Sequence, residues 1–314
     1  LIRVASLNNI EKIKDYSKMQ AEEIAPKLDV RYTAEGTLWK MGEMFQLSIE
    51  LYDTKEKKVI WSDRWQEKWD NLPTIKVNLS DGLLKALDTK PKAEKKEENT
   101  NPKAYAFYLE AKHKYEKREN KDDTEIVRGL LNKAIEIDNK LIAAKFLLGT
   151  TYRETGDYDN AMQHYNIALK QSEKLGDKNG IGDNLYTIGI VNHHKGDLDT
   201  ALDCYNRSMT IREEIGDKSG MGKSLNSIGT VHFYKGDYER AMEYYVKSLA
   251  IKEELNDKRM IGASLNNIGL LYHNKDDYDK ALDYHKRSLA ISEELGDKRS
   301  MGSSLNNMGC LYHD

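Results

Sequence analysis

Residues 221–255 read MGKSLNSIGTVHFYKGDYERAMEYYVKSLAIKEEL. Leu225, Ile228, Val231 and Tyr234 recur every third residue, which predicts one helix face. Gly236-Asp237-Tyr238 interrupts that pattern, and Ala241, Tyr245, Leu249 and Leu255 then mark one side of a second helix. Asp237 predicts an N-cap for the second helix, and Glu239 lies near the positive end of its dipole. The stretch predicts a helical hairpin.

The hairpin recurs every 40 residues. GDK begins at Gly176, Gly216 and Gly296, and NDK at Asn256. Gly149, Gly189, Gly229, Gly269 and Gly309 keep the same step, as do Ala161, Ala201, Ala241 and Ala281. Asp157, Asp197 and Asp277 hold the place of Asp237. Where a turn lacks glycine it carries Asn256 or Asp276, the residue types that best tolerate the left-handed backbone. Both turns are therefore expected to need positive φ, as a helix C-cap does. Glycine inside a helix costs about 1 kcal/mol against alanine, so close approach of a neighbouring helix is the expected compensation. Gly229 and Ala241 would face each other across their hairpin.

Leu148-Gly149-Tyr152-Ala161-Tyr165 and Ile268-Gly269-Tyr272-Ala281-His285 carry a resemblance. The pattern resembles the tetratricopeptide repeat, whose usual unit is 34 residues. The 40-residue step with a GDK turn is similar to the longer-helix variety of kinesin light chains and spindle-orientation adaptors. A divergent unit from about 104 to 141, ending in KAIEIDNKL, precedes the regular ones. The expectation is a solenoid over 104–314, with about five units and a truncated sixth.

Residues 1–88 follow another rhythm. Phe45, Leu47, Ile49 and Leu51 alternate with polar residues, which predicts a half-buried strand. Residues 30–40 and 58–66 are its expected antiparallel neighbours. Helices are expected at 17–28 and 70–87, with Asp70 as a cap and Leu72, Ile75, Leu79 and Leu83 as the apolar stripe. Val4-Ala5-Ser6, Leu28-Asp29-Val30-Arg31-Tyr32, Glu35-Gly36-Thr37-Leu38, Gln46-Leu47 and Ile60-Trp61-Ser62 resemble a partial TolB amino-terminal-like α/β module. In bacterial proteins that module often sits between an effector domain and tetratricopeptide repeats. Residues 89–103 read as a charged, solvated linker. The fold class is α+β overall: mostly α, a tetratricopeptide superhelix preceded by a small α/β module.

Composition narrows the function. Apolar residues are 39 % of the 314, and charged residues 32 %, a balance that suits an elongated architecture. The net charge of -3 offers no positive field for a phosphate backbone, so no nucleic-acid partner is expected. No apolar run is long enough for a membrane helix. Two cysteines, Cys204 and Cys310, suit packed thiols in a reducing, cytoplasmic setting. Leu1 opens inside a strand-like stretch and Asp314 closes inside the recurring motif, so both ends read as cut. No phosphate loop or paired-carboxylate motif is present, and His193-His194 lacks a third ligand at metal spacing. No cofactor, metal or catalytic residue is expected.

The resemblance places a binding groove on the first helix of each unit, around the repeat glycine. Its expected lining is Tyr186, Thr187, Ile190 and His193; Asn226, Ser227, Thr230 and Phe233; Asn266, Asn267, Leu270 and His273; and Asn306 and Asn307. Amides interleaved with aromatics suit an extended peptide. In related repeats an Asn before the Leu-Gly pair contacts the ligand backbone, and Asn267 and Asn307 match that position. The alternative is that these amides make hydrogen bonds between units. The expected function is a non-catalytic scaffold binding a peptide or protein segment, within a bacterial signalling protein. The alternative is the regulatory region of a class III adenylate/guanylate cyclase with its catalytic domain upstream.

Overall fold

Aspartate side chains start the helices and left-handed residues end them, as the repeat pattern requires. In the computed structural model, Asp157, Asp197, Asp237 and Asp277 each accept a hydrogen bond from the backbone N–H three residues on. Gly156, Gly196 and Gly236 have φ of 80°, 82° and 76°, and Asp276 takes 59°. The other turn behaves alike, with Gly176, Gly216, Gly296 and Asn256 all at positive φ. The substitution logic of the turns therefore holds at both. The aspartates of the GDK and NDK turns are caps as well: Asp217, Asp257 and Asp297 accept from Gly220, Met260 and Ser300.

The structure describes residues 31–41, 44–68, 79, 82–83, 85–87, 101–118 and 120–311. The expected opening strand, the helix at 17–28, the Asp70 cap and most of the linker lie outside them. Among the described residues, three strands, β1 (Tyr32–Met41), β2 (Met44–Asp53) and β3 (Lys58–Lys68), precede eleven helices. These are α1 (Pro102–Lys117), α2 (Lys121–Ile137), α3 (Ile142–Glu154), α4 (Tyr158–Leu175), α5 (Lys178–His194) and α6 (Leu198–Glu214). They continue as α7 (Lys218–Tyr234), α8 (Tyr238–Glu254), α9 (Lys258–His273), α10 (Tyr278–Leu295) and α11 (Lys298–Leu311). The chain divides into two compact units, Leu1–Leu109 with Glu136–Asp138, and Glu110–Ile135 with Asn139–Asp314.

In the first unit the strands form an antiparallel sheet in the order β1-β2-β3. Leu47 faces Leu38 on one side and Trp65 on the other. Phe45 and Leu51 are buried, while Leu47 and Ile49 between them are half-buried. The polar turn after β2 is organised by Asp53. Its carboxylate accepts from the Lys55 and Glu56 amides and pairs with Arg31 at 2.8 Å. The Arg31 hydrogen bond holds the Asp53 carboxyl below the usual range. Of the helix expected at 70–87, Leu87 N–H bonds to Leu83 O, and Gly82 lies so near the Trp61 ring that a Cβ would approach it to 2.6 Å.

In the second unit α3–α4, α5–α6, α7–α8 and α9–α10 are hairpins, and each second helix packs on the first helix of the next. Among the described residues three core clusters repeat at the 40-residue step. One of them joins Ala241, Tyr245, Ile268 and Leu271. The in-helix glycine has the expected reason: a Cβ on Gly229 would lie 2.8 Å from the Tyr245 ring and 3.2 Å from Ala241 O. Gly269 meets the His285 ring instead. One expectation fails. Tyr234 does not continue the stripe of Leu225, Ile228 and Val231, because it is 63 % exposed at the end of α7.

Candidate functional site

The first helices α5, α7, α9 and α11 carry the expected lining residues, and hydrogen bonds between units align them. Tyr186 Oη lies 3.2 Å from Ser227 Oγ. Asn267 Nδ2 donates to Asn226 Oδ1 at 3.1 Å, and Asn307 Nδ2 to Asn266 Oδ1 at 3.1 Å. These pairs join the same two positions of consecutive units, 41 residues apart. Unit-to-unit hydrogen bonding, the alternative role of the asparagines, is thus present. Asn226, Asn266, Asn267 and Asn307 are all half-buried, so each also meets solvent, and Asn306 is exposed.

Thr187 and Thr230 turn to their own helices, donating to Asp183 O and Asn226 O. Thr230 also accepts from the buried Tyr245 hydroxyl. One turn further along, Ile190 and Leu270 are half-buried. At the helix ends the aromatics gather. His193 packs on Tyr234 of the next unit with centroids 5.1 Å apart, and Phe233 and His273 lie beside Tyr238 and Tyr278. Burial, then the neighbouring His194, pushes the His193 imidazolium down.

The sequence reading missed a polar layer between units. Ser172, Arg212, Lys252 and Ser292 occupy one 40-residue column on the second helices and are buried. Arg212 donates to Asp183 at 2.6 Å, to Asp217 and to Ser208. Lys252 is 2 % exposed and donates to Ser264 Oγ at 2.6 Å and to Asn226 Oδ1 at 3.4 Å. Burial pushes the Lys252 ammonium down to about 8, opposed by Asp257. Beside it, Ser208, Ser248 and Ser288 donate to Gly182 O, Gly222 O and Gly262 O of the preceding helix. The signal was readable: a Ser/Arg/Lys/Ser column with the apolar Leu169, Met209, Leu249 and Leu289 three residues before it.

Exposed ion pairs follow a 36-residue step. Lys178, Lys218 and Lys258 pair with Glu214, Glu254 and Glu294, and Lys195, Lys235 and Lys275 with Asp159, Asp199 and Glu239. Among the described residues no group of three His, Cys, Asp or Glu could hold a metal ion. Among them, too, no helix is long and apolar enough to cross a membrane. Cys204 is buried, which pushes its thiol up, and Cys310 is exposed.

The fold is similar to that of several solved proteins. BtubC (BKLC) from P. vanneervenii matches with a TM-score of 0.51 and 20 % identity, over 67 % of this chain and 83 % of that one. A signal transduction ATPase with numerous domains and a tetratricopeptide repeat sensor, from Pyrococcus horikoshii, matches with a TM-score of 0.59 and 17 % identity. That match covers 78 % of this chain and 36 % of the other. The apo form of RapI gives 0.54 and 20 % identity, over 77 % and 66 %. At these identities the likeness is one of fold. No curated protein matches the sequence significantly. The sequence model of the tetratricopeptide repeat matches residues 140–214, 180–254 and 260–314. The match spans more than half of the chain, which therefore belongs to the tetratricopeptide repeat family.

Proposed function

We propose that the chain is a non-catalytic interaction scaffold whose first helices bind an extended peptide or protein segment. Tetratricopeptide repeats are generally protein–protein interaction scaffolds. The observation that carries the reading is the row of cross-unit pairs, Tyr186–Ser227, Asn226–Asn267 and Asn266–Asn307. It brings α5, α7, α9 and α11 into one register, so that their lining positions form a continuous face. Each amide pair uses one donor and one acceptor between its two members, and an amide has more of both to offer. Ile190, Leu270, His193, Phe233 and His273 flank the row with apolar and aromatic surface. Binding to a face already ordered costs the protein little conformational entropy.

Three finer readings accompany it. The repeats are of the kinesin-light-chain and spindle-adaptor variety, supported by the 40-residue step. The segment 1–88 is a TolB amino-terminal-like module followed by a linker at 89–103, supported by the antiparallel strands. The whole acts inside a bacterial signalling protein, supported by that arrangement of modules.

The test is to pan a displayed library of random linear peptides against the chain. Enriched peptides are expected to bind wild type at least tenfold more tightly than the Asn267→Ala, Asn307→Ala double variant, with equal helicity by circular dichroism. Equal affinity for the two proteins would refute the groove.

A further inference from the structure

The buried Lys252 raises a question the groove alone does not answer. Burying an unpaired ammonium is costly, and among the described residues no carboxylate forms an ion pair with it. Its hydrogen-bond partners are two neutral oxygens, Ser264 Oγ and Asn226 Oδ1. Ser264 Oγ is itself 3.5 Å from Asn226 Oδ1. Asn226 Oδ1 is therefore the meeting point of α8 and α9 in this interface.

An ammonium donates three hydrogens and accepts none. The atom of Asn226 facing it must be the oxygen, since the amide nitrogen would set donor against donor. With that oxygen fixed, Asn267 must turn Nδ2 toward it, as observed at 3.1 Å. Asn267 Oδ1, which makes no hydrogen bond among the described residues, is then the atom that Asn267 offers.

The neighbouring interfaces lack this constraint. Arg212 spends its guanidinium on Asp183, Asp217 and Ser208, and the pair above it is Tyr186–Ser227, which has no amide to orient. In the following unit Ser292 donates to Ser288 O. Asn266 there faces His285 Nδ1 at 2.9 Å. Burial keeps that imidazole neutral, and a neutral ring nitrogen serves as donor or acceptor according to its tautomer. The Asn266–Asn307 pair is thus satisfied in either sense.

We infer that Lys252 is a positioning residue, whose ammonium fixes the direction of the Asn226–Asn267 pair so that Asn267 presents a carbonyl oxygen. The inference rests on the groove reading for its purpose, and it names the ligand chemistry at this unit: a hydrogen-bond donor, such as the backbone N–H of an extended peptide. The charged groups that act on Lys252 are Asp257, at the start of α9, and Lys223 on α7. Where Lys252 loses its proton it gains a lone pair, and the constraint on the amides is released.

The test reads Asn267 directly, without a ligand, through its side-chain 13Cγ resonance in the full chain, assigned with Asn267→Asp. Wild type is expected to give one sharp signal at neutral pH that moves with a midpoint near the Lys252 transition at about 8. Lys252→Met is expected to broaden or split that signal and to remove the midpoint. Lys252→Arg, which keeps a permanent cation, is expected to restore the single signal without the midpoint. An Asn267 signal identical in wild type and Lys252→Met overturns the inference. If Lys252→Met does not fold, wild type decides alone, and a signal that stays flat through that transition overturns it. A peptide enriched by panning adds a second readout: at least fivefold weaker binding by Lys252→Met, with binding by Lys252→Arg retained. Equal binding by Asn267→Ala, Asn307→Ala would refute the groove while leaving the resonance result standing.

Discussion

The α6–α7 and α8–α9 interfaces place a basic side chain at the same buried position, 40 residues apart, and satisfy it by different means. Arg212 is held between two carboxylates, Asp183 at 2.6 Å and Asp217. Lys252 has neutral oxygens only, and its ammonium is pushed down to about 8. The backbone of the two units is the same in every feature that the turns, caps and glycines control. The repeat thus specifies a slot that must end in something polar and leaves the polar chemistry open. One solution is an ion pair; the other couples a strained charge to the amide row.

Four experiments break or sharpen that comparison. The largest effect is expected where the two interfaces should agree. Ala201 and Ala241 are fully buried against the neighbouring helix, so Ala201→Leu and Ala241→Leu should each lose about 1–3 kcal/mol by overpacking. Thermal or urea unfolding measures both, and an unchanged Ala241→Leu would show the hairpin packing to be wrong. The second experiment should separate the interfaces by sign. Arg212→Met leaves Asp217 and Ser208 without their partner and should cost about 2 kcal/mol, reduced from the fully buried case because Asp183 is more than half exposed. Lys252→Met removes an unpaired buried charge and should gain about 1 kcal/mol. Equal signs would dissolve the contrast.

The third experiment is a pH series. The Lys252 pKa is lower in the folded than in the unfolded chain, so the unfolded chain binds more protons between about 8 and 10.5. Stability contributed at this site therefore rises with pH through that window. Wild type minus Lys252→Met should rise by about 2 kcal/mol from pH 8 to 10, measured by urea unfolding at each pH. A flat difference would mean that Lys252 is better solvated than its burial implies. The smallest effect is expected on the surface. Lys235→Ala breaks the pair with Asp199, whose side chain is 87 % exposed, and should change stability by under about 0.5 kcal/mol. A loss above about 1 kcal/mol would show that the 36-residue ladder acts as a network.

Some of this was legible before any coordinates. Asn256 and Asp276 announced the left-handed turns because they stand where glycine stands in the other units. Gly229 announced a close neighbour because glycine inside a helix needs a packing reason. The candidate site was legible only in part. The reading placed Asn226, Asn266, Asn267 and Asn307 on one face but left open whether they face a ligand or each other. The structure shows amide pairs that do the second and retain exposure for the first. Tyr234 was misread because a run of three-residue steps drifts around the helix: at about 100° per residue, nine residues carry it half a turn from Leu225.

The amino-acid sequence alone determined the helical hairpin, its period, its caps and its turns, because each is a demand on the backbone within a few residues. A positive φ, a capping carboxylate or a missing Cβ leaves its mark on the residue that supplies it. The partners of Arg212, Lys252 and the asparagine row were decided by how the two helices of a hairpin pack and how one unit stacks on the next. Those bonds join residues 26, 29 and 41 positions apart on facing helices. Small rotations of a helix exchange one polar neighbour for another at nearly the same burial. Stacking therefore chose which oxygen Lys252 would find, and with it the direction in which Asn267 points.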